Sequence, residues 1–117
     1  MDIDSQELAD GIVKITLAGR MDIVGAQQVD PTFARLTAPP CHRVIVDLTG
    51  VSFLTTAGIR TLIVCAKALR TRGGKMVLLN PNGIISQVLE LAGLDQSIGI
   101  FRDLEAARAA VMRGAAA

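Results

Sequence analysis

Arg43-Val44-Ile45-Val46-Asp47-Leu48-Thr49-Gly50-Val51-Ser52-Phe53-Leu54-Thr55-Thr56-Ala57-Gly58 is the stretch that decides the fold. It opens with a continuous β-branched run, the pattern of a strand buried on both faces of a parallel sheet. A strand is expected over Arg43–Leu48, running into a turn ahead of the two threonines. Past the two threonines, Ile59, Leu62, Ile63, Ala66 and Leu69 recur at the spacings of a helix with one apolar face. That helix is expected to begin near Gly58, to turn Leu62 and Ile63 to the sheet, and to stop at Gly73-Gly74. A buried strand feeding an amphipathic helix is half of a parallel crossover, so an α/β domain with helices packed on its sheet follows.

The same alternation of elements continues in both directions. Upstream, Val13, Ile15 and Leu17 alternate with Lys14 and Thr16 across Gly11–Gly19, the period of a strand with one buried face. A weaker strand over Ile3–Leu8 would fold against it through the turn at Ala9-Asp10-Gly11. Ala26, Val29, Phe33 and Leu36 then give a helix over Val24–Leu36, which Pro31 is expected to kink or delay and Pro39-Pro40 to end. Downstream come a strand over Lys75–Leu79, a turn at Asn80–Gly83 and a helix carrying Ile84, Ile85, Val88, Leu89 and Ala92, closed by Gly93. A short strand over Ile98–Phe101 and a last helix, capped by Asp103 and bearing Leu104, Ala107 and Val111, complete the order β-β-α-β-α-β-α-β-α. The sheet is therefore expected to be mixed but mostly parallel, with an N-terminal antiparallel hairpin. One domain over residues 1–113 is expected, with a frayed alanine-rich tail over 114–117.

Composition narrows what such a domain can do. The chain has 117 residues, 50% of them apolar and 20% charged, with a net charge of +1. Three phenylalanines and no Trp or Tyr leave nothing for stacking on bases, so direct nucleic-acid binding is not expected. One histidine and two cysteines do not make a zinc quartet, and His42 has no serine–acid team around it. No enzyme activity, cofactor or metal is expected. No apolar run approaches the roughly 20 residues of a membrane span, and the acidic start Met1-Asp2-Ile3-Asp4 does not read as an export signal. A cytoplasmic chain is expected, with Cys41 a free loop thiol and Cys65 a small core residue. Gly73-Gly74-Lys75 looks like part of a phosphate loop, but it follows a helix and precedes a strand, the reverse of the required context.

In an open α/β sheet, function gathers beyond the carboxyl ends of the strands. Asp22, residues 49–58 and the loop 80–83 all belong to that edge. Taken alone, a threonine before the helix serves as its cap, while the helix start would equally receive a phosphate on that hydroxyl. Asp22 reads alone as a solvated turn residue, and Arg60 and Thr61 as exposed residues of the first helical turn.

Four segments in order resemble the STAS domain, the family of bacterial anti-sigma factor antagonists. They are Ile15-Thr16-Leu17-Ala18-Gly19-Arg20-Met21-Asp22, Asp47-Leu48-Thr49-Gly50-Val51-Ser52-Phe53-Leu54, Gly73-Gly74-Lys75-Met76-Val77-Leu78 and Leu89-Glu90-Leu91-Ala92-Gly93-Leu94. In that family the second segment leads into Asp-Ser-Ser-Gly, whose first serine, in some members threonine, receives a phosphate. By position Thr55 stands for the aspartate, Thr56 for the acceptor and Ala57 for the second serine, while Gly58 matches. The resemblance implies a partner switch without catalysis. The chain would dock on an anti-sigma factor that is also a serine/threonine kinase of the histidine-kinase-like ATPase type, and a serine/threonine phosphatase would reset it. Thr56, or else its neighbour Thr55, would carry the phosphate. Asp22, Thr55, Thr56, Ala57, Gly58, Arg60 and Thr61 would form the docking face. The alternative is a STAS subunit regulating the ATPase of a membrane transporter of the lipid-transport type.

Overall fold

The polar, exposed segment Asp2–Glu7 (β1) lies antiparallel to Ile12–Met21 (β2), with Ile3 opposite Leu17 and Glu7 opposite Val13. The computed structural model describes residues 1–114 of the chain. The hairpin turns through Asp10 and Gly11 at φ 65° and 73°. From β2 onward every pairing is parallel: β2 with Arg43–Leu54 (β3), β3 with Lys75–Leu79 (β4), and β4 with Gly99–Phe101 (β5). The strand order is β1-β2-β3-β4-β5. Such neighbours require crossovers, supplied by Ile23–Leu36 (α1), Thr56–Thr71 (α2) and Gly83–Leu91 (α3) with the one-turn Leu94–Ser97 (α4). Leu104–Gly114 (α5) follows, with the Asp103 carboxylate accepting from the Ala106 N–H at 2.7 Å.

The period-two alternation of the strands sorts two cores. On one face Ile15, Leu17, Val44 and Val46 pack with Val29 and Phe33 of α1, Leu62 and Leu69 of α2, and Ile85 and Leu89 of α3. On the other face Ile12, Ile45, Val77 and Leu79 meet Ala107, Ala110 and Val111 of α5.

Several expectations are corrected. Pro31 neither delays nor divides α1, which starts directly at Ile23 and runs through the proline. No turn follows Leu48, and β3 continues to Leu54. It does so by shifting register against β2 between Thr16 and Ala18 and again between Gly19 and Arg20, each time with one extra residue on β3. Side chains brace the irregular stretch. Asp47 pairs with Lys14 at 3.5 Å and accepts from the Thr49 N–H and hydroxyl, while Asn82 donates to the Val51 carbonyl. Helix α2 begins at Thr56 rather than near Gly58. Leu62 is fully buried, but Ile63 is only partly covered, because the sheet-facing stripe runs Gly58, Leu62, Cys65, Ala66, Leu69. Helix α4 was not expected at all. Gly114 closes α5, and the rest of the tail expected over 114–117 lies outside the described residues.

Candidate functional site

The carboxyl end of β2 organises this pole of the molecule. Met21 ends the strand, and Asp22 directly after it is the N-cap of α1, its carboxylate accepting from the Gly25 N–H at 2.8 Å. Asp22 is therefore a structural cap and not simply a solvated turn residue. The carbonyl of Met21 accepts from both the N–H and the hydroxyl of Thr55, each at 3.1 Å. Helices α1 and α2 thus start from one strand end. Glycines permit the close approach. A β-carbon on Gly25 would run into the Arg20 carbonyl oxygen, and one on Gly58 would lie 2.7 Å from both Leu54 Cδ1 and Met21 Cγ.

The two threonines divide differently from the capping expectation. Thr55 holds the N-cap position, but its hydroxyl is turned to Met21 and gives α2 no side-chain cap. Thr56 is the first residue of the helix and is exposed. The first turn of α2 carries no acidic residue, so the positive end of its dipole has no carboxylate of its own helix to balance it.

Between α1 and α2 runs an open groove of about 680 Å³. Ile23, Gln27 and Asp30 line it from α1, at spacings of four and three, and Ala57, Arg60 and Val64 from α2. Thr55 and Thr56 form its end at the pole. Thr61, expected as an exposed first-turn residue, is instead 6% exposed and donates its hydroxyl to the Asp30 carboxylate at 2.6 Å. It ties the two helices together at the groove floor and has little surface left for a partner. Gly58 is likewise buried, whereas Arg60 is exposed and Ala57 half-buried. Cys65 lines the groove from the core side, and burial pushes its thiol up from the ordinary 9.0, as it does for Cys41.

Large apolar side chains that sequence reasoning did not assign to the site stand exposed near the pole and along its groove. Ile23 and Val24 are 63% and 60% exposed, Val64 58% and Phe53 40%. The Arg20 guanidinium lies 4.2 Å from the centre of the Phe53 ring and 3.8 Å from the Asp22 carboxylate. For the helical pair the signal was available, since Ile23 and Val64 fall on helical stripes offset from the core stripe, whereas Phe53 lies beyond the second register shift of β3, which its local pattern does not show. Among the described residues, no three His, Cys, Asp or Glu side chains approach closely enough to hold a metal ion, and no helix is long and apolar enough to cross a membrane.

Comparison with known proteins agrees with this architecture. The family model for the STAS domain matches residues 5–107. BtrV of Bordetella bronchiseptica, provisionally named an anti-sigma factor antagonist, is 29% identical over 86% of this chain and 87% of its own. The crystal structure of an anti-sigma factor antagonist from Mycobacterium paratuberculosis superposes with a TM-score of 0.83 at 22% identity, covering 95% of each chain. The Bacillus cell fate determinant SpoIIAA in its phosphorylated form gives 0.70 at 20% identity, covering 90% of this chain and 96% of that one.

Proposed function

The chain belongs to the STAS domain family, and on that premise we propose that it is an anti-sigma factor antagonist, a binding module that switches partners. The observation that carries this reading is Thr56. Its exposed side chain stands at an unbalanced helix start, within a rim of exposed apolar residues. An apolar rim beside open polar groups is the surface a protein partner covers. In the unmodified state the rim of Ile23, Val24 and Phe53 docks on the anti-sigma factor and frees the sigma factor. That partner, as family resemblance implies, is a cytoplasmic serine/threonine kinase with a histidine-kinase-like ATPase fold.

Phosphorylation of Thr56 would add close to two negative charges and three strongly hydrated oxygens at the centre of that rim. Docking would then require their desolvation, so the complex is opposed. The fold itself would tolerate the group, because the free N–H groups of the α2 start and the Arg60 guanidinium, one turn along at i+4, both favour an anion there. Thr55 occupies the family's aspartate position but is committed to Met21, which leaves Thr56 as the free hydroxyl. A phosphatase would restore the binding form. The chain acts in this scheme as substrate and ligand, with no cofactor and no catalysis of its own.

The test is incubation with the cognate kinase and ATP, read by mass spectrometry of the peptide containing both threonines. Phosphate on Thr56 supports the reading. Phosphate on Thr55 alone overturns Thr56 as the acceptor while keeping the switch, and phosphate on neither, while the chain purifies with a transporter ATPase, moves the reading to the alternative STAS role.

A further inference from the structure

Charge is segregated along this chain. Between Asp47 and Glu90 there is no carboxylate, yet Arg60, Lys67, Arg70, Arg72 and Lys75 all fall in that interval. Arg72 is absorbed by the fold, donating to the carbonyls of Thr37 and Cys41 at 2.6 and 2.9 Å. Arg60 lies at the Thr56 end of α2. Lys67, Arg70 and Lys75 remain, and they share one groove at the opposite end. It consists of two hollows of about 250 and 230 Å³ that have Ala66, Arg70, Ser97 and Ile98 in common. Lys75 lines the first hollow and Lys67 the second, with half-buried Ile63 as an apolar wall of the latter. Among the described residues the ion pairs are Lys14–Asp47, Arg20–Asp22 and Arg108–Glu105, so none of these three cations has a carboxylate oxygen within 4.0 Å.

A cation in the last turn of a helix is favoured by the dipole, which accounts for Arg70. It does not account for Lys75, which starts a strand, or for the alignment of all three along a partly apolar trough. We propose that this trough is a second docking surface, which takes an acidic segment of a partner protein. Lys67 and Arg70 are about one helical turn apart and Lys75 lies past the helix end, a linear array suited to carboxylates spaced along a chain. Ala66 and Ile98 supply the apolar floor against which such a segment would lie. Arg70 follows Thr56 by about 20 Å at the helical rise of roughly 1.5 Å per residue. That exceeds a Debye length of about 8 Å, so a phosphate at the Thr56 pole leaves this surface unaffected and both can be occupied together. The inference does not depend on the proposed function.

The experiment is fluorescence anisotropy with a labelled octaglutamate peptide and the full chain, with backbone amide shifts followed in parallel. The expected result is saturable binding, with shifts at Lys67, Arg70, Lys75 and Ser97, weakening by about tenfold between roughly 50 and 500 mM NaCl. The double variant Lys67→Glu with Arg70→Glu should lose about tenfold or more, while Arg108→Glu with Arg113→Glu on α5 should stay within about twofold of wild type. Lys75→Gln should show an intermediate loss, which keeps the test intact if the double variant melts. Absence of binding, equal loss in the α5 control, or displacement of the peptide by an equal concentration of inorganic pyrophosphate would each overturn the proposal.

Discussion

Replacing Gly58 by alanine tests how tightly the Thr56 pole is built. In an open helix the change would stabilise, because alanine is about 0.8–1.0 kcal/mol better than glycine in helix propensity. Here the new β-carbon would lie 2.7 Å from Leu54 Cδ1 and from Met21 Cγ, and 3.0 Å from the Met21 carbonyl oxygen. The Leu54 methyl can rotate, but Met21 Cγ is mid-chain in a fully buried side chain and the carbonyl is held by both donors of Thr55. Overpacking costs about 1–3 kcal/mol. Contacts of 2.7, 2.7 and 3.0 Å, one of them to a held carbonyl, put this site in the upper half of that range. About 2–3 kcal/mol lost against the propensity gain leaves a net loss of about 1–2 kcal/mol. Urea unfolding followed by circular dichroism reads the midpoint, with Gly83→Ala as the matched control. Gly83 also begins a helix, yet nothing lies within 4 Å of its β-carbon position, so that change should be neutral or stabilising by up to about 1 kcal/mol. A Gly58→Ala protein as stable as wild type would refute the close approach of α2 to the end of β2.

Other substitutions probe separate parts of the account. Leu62→Ala should lose about 2–5 kcal/mol through lost burial and the cavity left, with Ile63→Ala well below it, and reversed ranks in a denaturant titration would misplace the buried face of α2. Thr61→Val should lose about 0.5–1.5 kcal/mol, since it breaks the bond to Asp30 while water still reaches that exposed carboxylate; an unchanged midpoint would contradict the tie between α1 and α2. Burial raises the thiols of Cys41 and Cys65 above 9.0, so the unfolded chain ionises first as pH rises. Their contribution is full below 9.0 and falls above it, so wild type should lose stability relative to a Cys41→Ala, Cys65→Ala double variant as the buffer is raised from about pH 7.5 to about pH 10, and a relative gain would contradict the sign.

The order of strands and main helices was legible because each carries a clean period. The alternation around Ile15 and Leu17 and the three-four spacing of Ala26, Val29 and Phe33 reappear as buried residues. What the sequence hid came from interactions between distant segments. The length of β3 depends on two register shifts braced by Lys14 and Asn82, neither of which is visible in the local pattern of residues 49–54. Thr55 and Thr56 are interchangeable by local chemistry, and only the Met21 carbonyl separates them. Thr61 looked exposed because it is polar and early in a helix, but Asp30 on α1 satisfies its hydroxyl and allows burial. Ile23 and Val24 are exposed although apolar, because they stand off the Ala26, Val29 and Phe33 stripe that α1 buries.

Titration calorimetry of the cognate anti-sigma factor with wild type, Thr56→Ala and Thr56→Glu tests the central claim, that charge at Thr56 controls docking at this pole. Thr56→Ala removes no side-chain cap, since Thr55 holds that position, and should bind like wild type. Thr56→Glu should keep the fold, because an acid at a helix start is favoured, yet bind at least about tenfold more weakly, or roughly 1.4 kcal/mol. Binding of Thr56→Glu as tight as that of wild type, with both proteins folded by circular dichroism, would contradict the claim.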